Sequence, residues 1–243
     1  KDRLAFRHLC LETNGIYMLC NKYNKHNVLA VGDPHAPYTR EGYLEWCDSL
    51  RHKHRCGTVL IMGDLVENNS LTIRDLDPNM PSPKDEILLT REFLKPWFDT
   101  FSKAIVTLGN HDLRPWRRAA KAGIPDICIK PYREIYALPK KWVTCEDYTL
   151  DNVFYFHGFS AAKDAAMKHA IYNGINTVQG HGHTTASIMW HKRVTGNLFG
   201  ISTGSGIDWE SNAFKYARPF KERQIISCAT IKHGKSPELH IME

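Results

Sequence analysis

The chain has 243 residues, with 32 Lys and Arg against 26 Asp and Glu, for a formal charge of +6. Hydrophobic residues make up 42% and charged residues 24%, which suits a globular protein with a substantial core and excludes a disordered, collagen-like or coiled-coil chain. No apolar run approaches the roughly 18 residues of a membrane-spanning helix, and the seven cysteines form no CxxC pair. A disulfide framework or zinc knuckle is therefore disfavoured, and a reducing, cytoplasmic setting without membrane partners is expected.

Residues 1–26 are weakly patterned and read as an arm or linker ahead of one domain over 27–243. Asn27–Val31 is an apolar strand that stops at Gly32-Asp33. A helix follows over 40–54, where Tyr43, Leu44, Cys47 and Leu50 recur at helical spacing. The Val, Leu and Ile run at 57–62 predicts a strand ending in Gly63-Asp64. The long connection 67–84 is rich in Asn, Asp and Pro; loops of that length are usually functional. Leu89, Phe93, Trp97 and Phe101 predict a helix over 86–101, with Pro96 expected to kink or restart it. Residues 104–108 form a strand ending in Gly109-Asn110, and Val153–Phe156 one ending in His157-Gly158. Ser160 caps a helix over 161–173, closed by Gly174, and Asn176–Gln179 is a strand ending in Gly180-His181. Segments 186–201 and 223–242 read as antiparallel strands, the last pair turning at His233-Gly234-Lys235. Apolar strands alternating with helices predict an α/β fold around a buried parallel or mixed sheet.

In such sheets ligands gather beyond the carboxyl ends of the strands. All five of these strand ends carry a residue able to bind a metal: Asp33 with His35, Asp64, Asn110 with His111, His157, and His181 with His183. Taken singly, each is an ordinary turn or core residue; jointly they are not. Two pairs are spaced i, i+2, which on an extended backbone turns both side chains to one face. Imidazole, carboxylate and amide donors without thiolate suit Mn²⁺, Fe, Zn²⁺ or Ni²⁺. Calcium is disfavoured, because nitrogen donors dominate.

The blocks Asp33-Pro34-His35, Gly63-Asp64, Gly109-Asn110-His111-Asp112, His157-Gly158 and Gly180-His181-Gly182-His183 resemble the five-block signature of the calcineurin-like metallophosphoesterase superfamily, in family order. Gly63 to Asn68, Asp77-Pro78-Asn79, Trp97, Gly206-Ile207-Asp208 and Phe214-Lys215-Tyr216 are similar to a compact phage-associated subgroup, which would place the chain in host cytoplasm. The resemblance implies a four-layer α/β/β/α sandwich of two mixed sheets, with two divalent metal ions, Mn²⁺ foremost, at the strand ends. Asp33, His35 and His183 would hold one ion, and Asn110, His157 and His181 the other. Asp64 would bridge them, its two oxygens serving two cations. His111, beside a ligand but outside the ligand set, is the candidate general acid, with Asp112 orienting its imidazole.

The resemblance further implies a phosphoester substrate. Protein phosphatases of this superfamily carry GDxVDRG and GNHE; this chain has Gly63-Asp64-Leu65-Val66-Glu67-Asn68-Asn69 and Asp112 instead, which argues against that class. The GNHD form, the net charge, and Arg114, Arg117 and Arg118 lean towards phosphodiesters, with nucleic acid or nucleotides as substrates. Trp116 is expected to pack rather than stack a base, and for two of the three arginines a solvated helix face is as good a reading as a phosphate contact. Asn68, Asn69 and Arg74 are candidate substrate contacts on the 67–84 loop. The alternatives are a phosphomonoesterase acting on small molecules and an inactive metal-holding interaction module.

Overall fold

The computed structural model describes residues 26–72, 80–211 and 222–243. Residues 1–25 of the arm expected over 1–26, Arg74, the 77–79 loop and residues 214–216 lie outside the described residues. Strands β1 (Asn27–Val31), β2 (Thr58–Ile61), β3 (Ala104–Thr107) and β4 (Trp142–Cys145) run parallel. Among the remaining strands, β5 spans Asp147–Leu150, β6 Val153–Phe156, β7 Asn176–Gln179, β8 Ala186–Arg193, β9 Gly196–Thr203, β10 Ser227–Lys232 and β11 Ser236–Ile241. Antiparallel β10 and β11 extend the first sheet to the order β11-β10-β1-β2-β3-β4, and the second sheet has the order β5-β6-β7-β9-β8. In the second sheet β6, β7 and β9 are parallel while β5 and β8 pair antiparallel. Both sheets are mixed.

The two-residue period of the strands divides the core. Leu29, Val31, Val59 and Ile61 face the helices α1 (Tyr43–Lys53), α2 (Pro83–Thr100), α3 (Arg114–Lys121) and α4 (Tyr132–Ile135). Their neighbours Val28, Ala30, Leu60 and Met62 face the second sheet, meeting Val153, Tyr155, Val178, Phe199 and Ile201. Helix α5 (Ala165–Asn173) covers the far side, setting Met167 and Ala170 on Leu198. The layers are therefore α/β/β/α. Trp97 and Trp142 are fully buried on the helical side; truncating such a side chain to Ala costs about 3–5 kcal/mol.

Helix α1 buries the expected Tyr43, Leu44, Cys47 and Leu50. Helix α2 departs from expectation in two ways. It runs unbroken through Pro96, where Pro96 and Glu92, whose carbonyl loses its donor, are both on the exposed face. Its buried stripe is Glu86, Thr90, Leu94 and Trp97, while Leu89 is exposed. Glu86 turns inward because its carboxylate accepts from Asn69 N and Ser70 N, both at 2.7 Å, and from the Ser70 hydroxyl. The start of the 67–84 connection is thereby tied to α2. The helix expected from 161 begins only at Ala165, since Ser160 Oγ accepts from Ala162 N in a turn; Gly174, at φ +69°, does close it. Strands β4 and β5 were not legible in the sequence.

Parallel register aligns Val31 with Ile61, Ile61 with Val106, and Phe156 with Gln179. The strand ends bearing Asp33, Asp64 and Asn110 therefore leave one sheet at the same edge. Those bearing His157 and His181 do so from the other.

Candidate metal centre

The structure brings Asp33, His35, Asp64, Asn110, His157, His181 and His183 together. One donor atom each from Asp33, His35, Asp64 and His183 lies within 4.8 Å of the others, and the same holds for Asp64, His157 and His181. Asn110 joins the second group, with Oδ1 3.0 Å from His157 Nε2. Asp64 belongs to both groups, but through one oxygen. Its Oδ2 lies 3.2 Å from His157 Nε2 and 3.9 Å from His35 Nε2, while Oδ1 accepts from His111 N at 2.7 Å. The expectation of one oxygen for each cation is corrected accordingly.

The i, i+2 pairs converge for a reason other than an extended backbone. His35, Asp64 and His181 have φ values of 54°, 42° and 65°, the left-handed region that non-glycine residues rarely occupy. Such strain persists where surrounding contacts enforce it. Here His35 N donates to Asp64 O at 2.9 Å, and His181 N donates to Asp33 Oδ2 at 2.7 Å. Gly109 and Gly180 allow the close approach. A Cβ at Gly109 would stand 2.2 Å from Asp64 Oδ1, and one at Gly180 2.1 Å from Asp33 Oδ1.

The donor set fits two divalent cations. In His157, Nδ1 donates to Met62 O at 2.9 Å, so Nε2 presents its lone pair. Around that lone pair stand three further donors, Asn110 Oδ1, His181 Nδ1 at 3.1 Å and Asp64 Oδ2. In His35, Nδ1 donates to Glu67 Oε2 at 2.5 Å, which directs Nε2 to a point 3.0 Å from His183 Nε2. His183 Nε2 is in turn 3.3 Å from Asp33 Oδ2. Asp33 Oδ1 and Asp64 Oδ2 are buried without a hydrogen-bond partner. Lone pairs held about 3 Å apart in a low-dielectric pocket are costly unless a cation lies between them. Nitrogen and oxygen donors without sulfur suit first-row divalent metals.

Charge follows the same logic. Burial holds His35 and His181 below the usual imidazole range, in the neutral form that ligates. Burial opposes charge on Asp64, yet His157 and His111 outweigh it and hold the carboxyl well below its ordinary range. For His157 burial again opposes charge, but Asp64 and Asp33 lift its pKa to about 10. Carboxylates at this density draw in positive charge, whether proton or metal.

Glu67 is the residue that sequence reasoning missed. Its Oε2 serves both His35 Nδ1 and His111 Nδ1, the latter at 2.9 Å, and its Oε1 accepts from Arg114 Nη1 at 3.1 Å. Burial would raise its pKa, but the two imidazoles hold it well below the carboxylate range. A signal was present, since Glu67 is the carboxylate three residues after Asp64, where the phosphatase motif has its second Asp. His111 sits against the centre, with Nε2 3.9 Å from Asp64 Oδ2. Burial lowers its proton affinity, and Glu67 and Asp64 more than restore it. Arg114 Nη2 lies 3.2 Å from His111 Nε2. A guanidinium only donates, so that contact belongs to the neutral ring.

Asp112 differs from expectation. Its Oδ2 accepts from Gly109 N at 2.8 Å, and its Oδ1 from Tyr132 OH at 2.7 Å and Val66 N at 3.2 Å. It pins the turn that carries Asn110 and His111, and the carboxylate at the His111 ring is Glu67. Burial, then Asp64, pushes Asp112 up to about 7. Of the three arginines, Arg114 faces the centre, while Arg117 and Arg118 are exposed on α3. Trp116 is buried and stacks on Tyr132. Asn68 is buried too, donating to His111 O at 3.1 Å and accepting from Tyr136 OH at 2.7 Å. Among the described residues no helix is long and apolar enough to cross a membrane.

The chain is similar in structure to Vacuolar Protein Sorting 29 from Cryptosporidium parvum, at 11% identity and a TM-score of 0.43, covering 89% of this chain and 96% of that one. It is similar to a metallophosphoesterase from Sphaerobacter thermophilus, at 16% identity and a TM-score of 0.42, covering 90% and 89%. It is also similar to the nuclease MPE from Pseudomonas putida, at 12% identity and a TM-score of 0.38, covering 88% and 86%. No curated protein sequence matches it. The sequence profile described as Calcineurin-like phosphoesterase matches residues 26–224, and the chain belongs to that family.

Proposed function

We infer that the chain hydrolyses phosphoesters at this centre, preferring the phosphodiesters of nucleotides or nucleic acid. The placement of His111 carries this reading. Its Nδ1 is held by Glu67, and its Nε2 lies beside Asp64 Oδ2, within reach of an oxygen bound at the centre. Two divalent cations, Mn²⁺ foremost, would supply Lewis acidity and a water that is nucleophilic near neutral pH. Asp33, His35 and His183 would hold one cation and Asn110, His157 and His181 the other, with Asp64 available to both groups. Glu67 orients His35 and His111 together, and Asp112 keeps the Gly109-Asn110-His111 turn in place. In its protonated form, which Glu67 and Asp64 favour, His111 gives the Nε2 proton to the departing oxygen, which keeps the electron pair of the broken P–O bond.

Two observations favour a diester. The net charge of +6 suits a polyanion, and Arg117 and Arg118 are solvent-facing on the helix that starts just past His111. Exposed arginines of this kind contact backbone phosphates without reading sequence.

Hydrolysis of bis-p-nitrophenyl phosphate and p-nitrophenyl phosphate by the Mn²⁺-loaded protein tests the inference. Faster diester turnover is expected. Faster monoester turnover overturns the diester preference in favour of a phosphomonoesterase. A fully loaded protein that hydrolyses neither overturns the enzymatic reading and leaves a metal-holding interaction module.

A further inference from the structure

A second group of metal-capable side chains lies away from this centre. His54 follows the last residue of α1, and Glu238 and His240 alternate along β11, so both point to the same face of that strand. One donor atom from each of the three lies within 4.8 Å of the others. His54 Nδ1 is 3.6 Å from Glu238 Oε2, and the imidazoles of His54 and His240 lie with centroids 4.8 Å apart at an interplanar angle of 53°. The group sits at the opposite end of β1 from the dinuclear centre: Asn27, which opens β1, donates from Nδ2 to His54 O at 2.9 Å, whereas Asp33 follows its last residue. The six residue steps from Asn27 to Asp33, at strand rise, span roughly 20 Å.

The local chemistry suits a cation. Thr230 Oγ1 lies 2.9 Å from His240 Nε2 and orients that ring, the outer-shell hydrogen bond that ligating histidines usually have. Tetrahedral ligands at bond lengths of about 2.0–2.1 Å stand roughly 3.3 Å apart, close to the His54–Glu238 separation. Glu238 is exposed at the sheet edge and has the freedom to close the remaining gap. Two imidazoles and one carboxylate form a recognised three-protein-ligand zinc set, with water completing the shell.

We propose that His54, Glu238 and His240 bind one divalent cation of the Zn²⁺ class, independent of the dinuclear centre. Bound there, the cation clips β11, the edge strand of the first sheet, to the end of α1. It stabilises the folded chain by mass action, because it binds the folded state and not the unfolded one.

The test compares the full chain with Glu238→Gln and with His240→Gln, each stripped with chelator and dialysed against micromolar Zn²⁺. Zinc per chain is then measured by elemental analysis. Each variant is expected to hold one zinc fewer than the unaltered chain, and to lose the part of the Zn²⁺-induced rise in melting temperature that belongs to this site. Hydrolytic turnover in Mn²⁺ is expected to be unchanged. Equal zinc content in all three proteins overturns the proposal. Should His240→Gln fail to fold, Glu238→Gln decides alone, since the exposed Glu238 side chain supports no core packing.

Discussion

Oε2 of Glu67 stands 2.9 Å from Nδ1 of His111 and is shared with Nδ1 of His35 at 2.5 Å. Glu67 thus faces Nδ1 of both rings, with its backbone carbonyl also 3.1 Å from His111 Nδ1, and so favours the same tautomer in the candidate ligand His35 and in the imidazole proposed to meet the substrate. Both rings must keep their hydrogen on Nδ1, which leaves both Nε2 atoms for the centre.

Replacing Glu67 with Gln keeps the shape of the side chain but removes its charge and offers an amide hydrogen where an acceptor is needed. Outer-shell changes of this type cost about 10–100-fold in metal affinity or activity. The same loss is expected here, read from Mn²⁺ titrations of the turnover rate. Unaltered affinity and turnover would show that the shared oxygen is dispensable.

His111 and Asp64 separate by function. For His111→Ala we expect retained metal with turnover reduced about 10²–10⁴-fold, most severely on substrates with poor leaving groups. For Asp64→Ala, loss of metal from one or both groups is expected, because Oδ2 faces each of them. Elemental analysis beside a leaving-group series reads both; equal metal loss in the two variants contradicts the division.

Tyr132 donates to Asp112 at 2.7 Å in a buried pair remote from solvent. Tyr132→Phe removes that donor while preserving the ring stacked on Trp116. Urea denaturation is expected to register a loss of about 1–3 kcal/mol, with metal content retained. If the variant were as stable as the unaltered chain, Asp112 would not depend on this donor.

Acid sensitivity is predicted at His169. Its ring lies on Phe154 and Phe156, with centroids 5.1 and 4.4 Å away. Burial lowers its pKa below 6.5 and outweighs the attraction of Asp147. The folded state then binds this proton less readily than the unfolded chain, so the contribution is full above the unfolded pKa. It is lost as pH falls from about 6.5 through the lower folded value. In His169→Phe the melting temperature should fall less than in the unaltered chain between neutral and mildly acidic pH. Parallel profiles would remove His169 from the acid response.

Much of the fold was legible because its signals are local. Tyr43, Leu44, Cys47 and Leu50 mark the buried face of α1 by spacing alone, and Gly174 marks the end of α5 by its left-handed backbone. Strands β4 and β5 escaped, being four residues each and incompletely buried. The inward face of α2 escaped because it is half polar: Glu86 is buried by hydrogen bonds from Asn69 and Ser70, which hydrophobic spacing does not report.

At the centre, donor chemistry and strand-end position singled out eight metal-capable side chains, and the family resemblance set His111 apart from the other seven. Tertiary structure decided how those residues divide their work. Which of Glu67 and Asp112 reaches the His111 ring depends on how the Asp64–Glu67 turn folds over the Asn110–Asp112 turn. Whether Asp64 faces both metal groups through one oxygen or two depends on His111 N claiming the other at 2.7 Å. Of Arg114, Arg117 and Arg118, only Arg114 turns towards Glu67, because α3 buries Trp116 and its 3.6-residue period leaves the next two arginines in solvent. A side chain's chemical capacity is written in its identity. Its partner is a matter of distance in space, which opposing turns from separate strands set only once the sheets have packed.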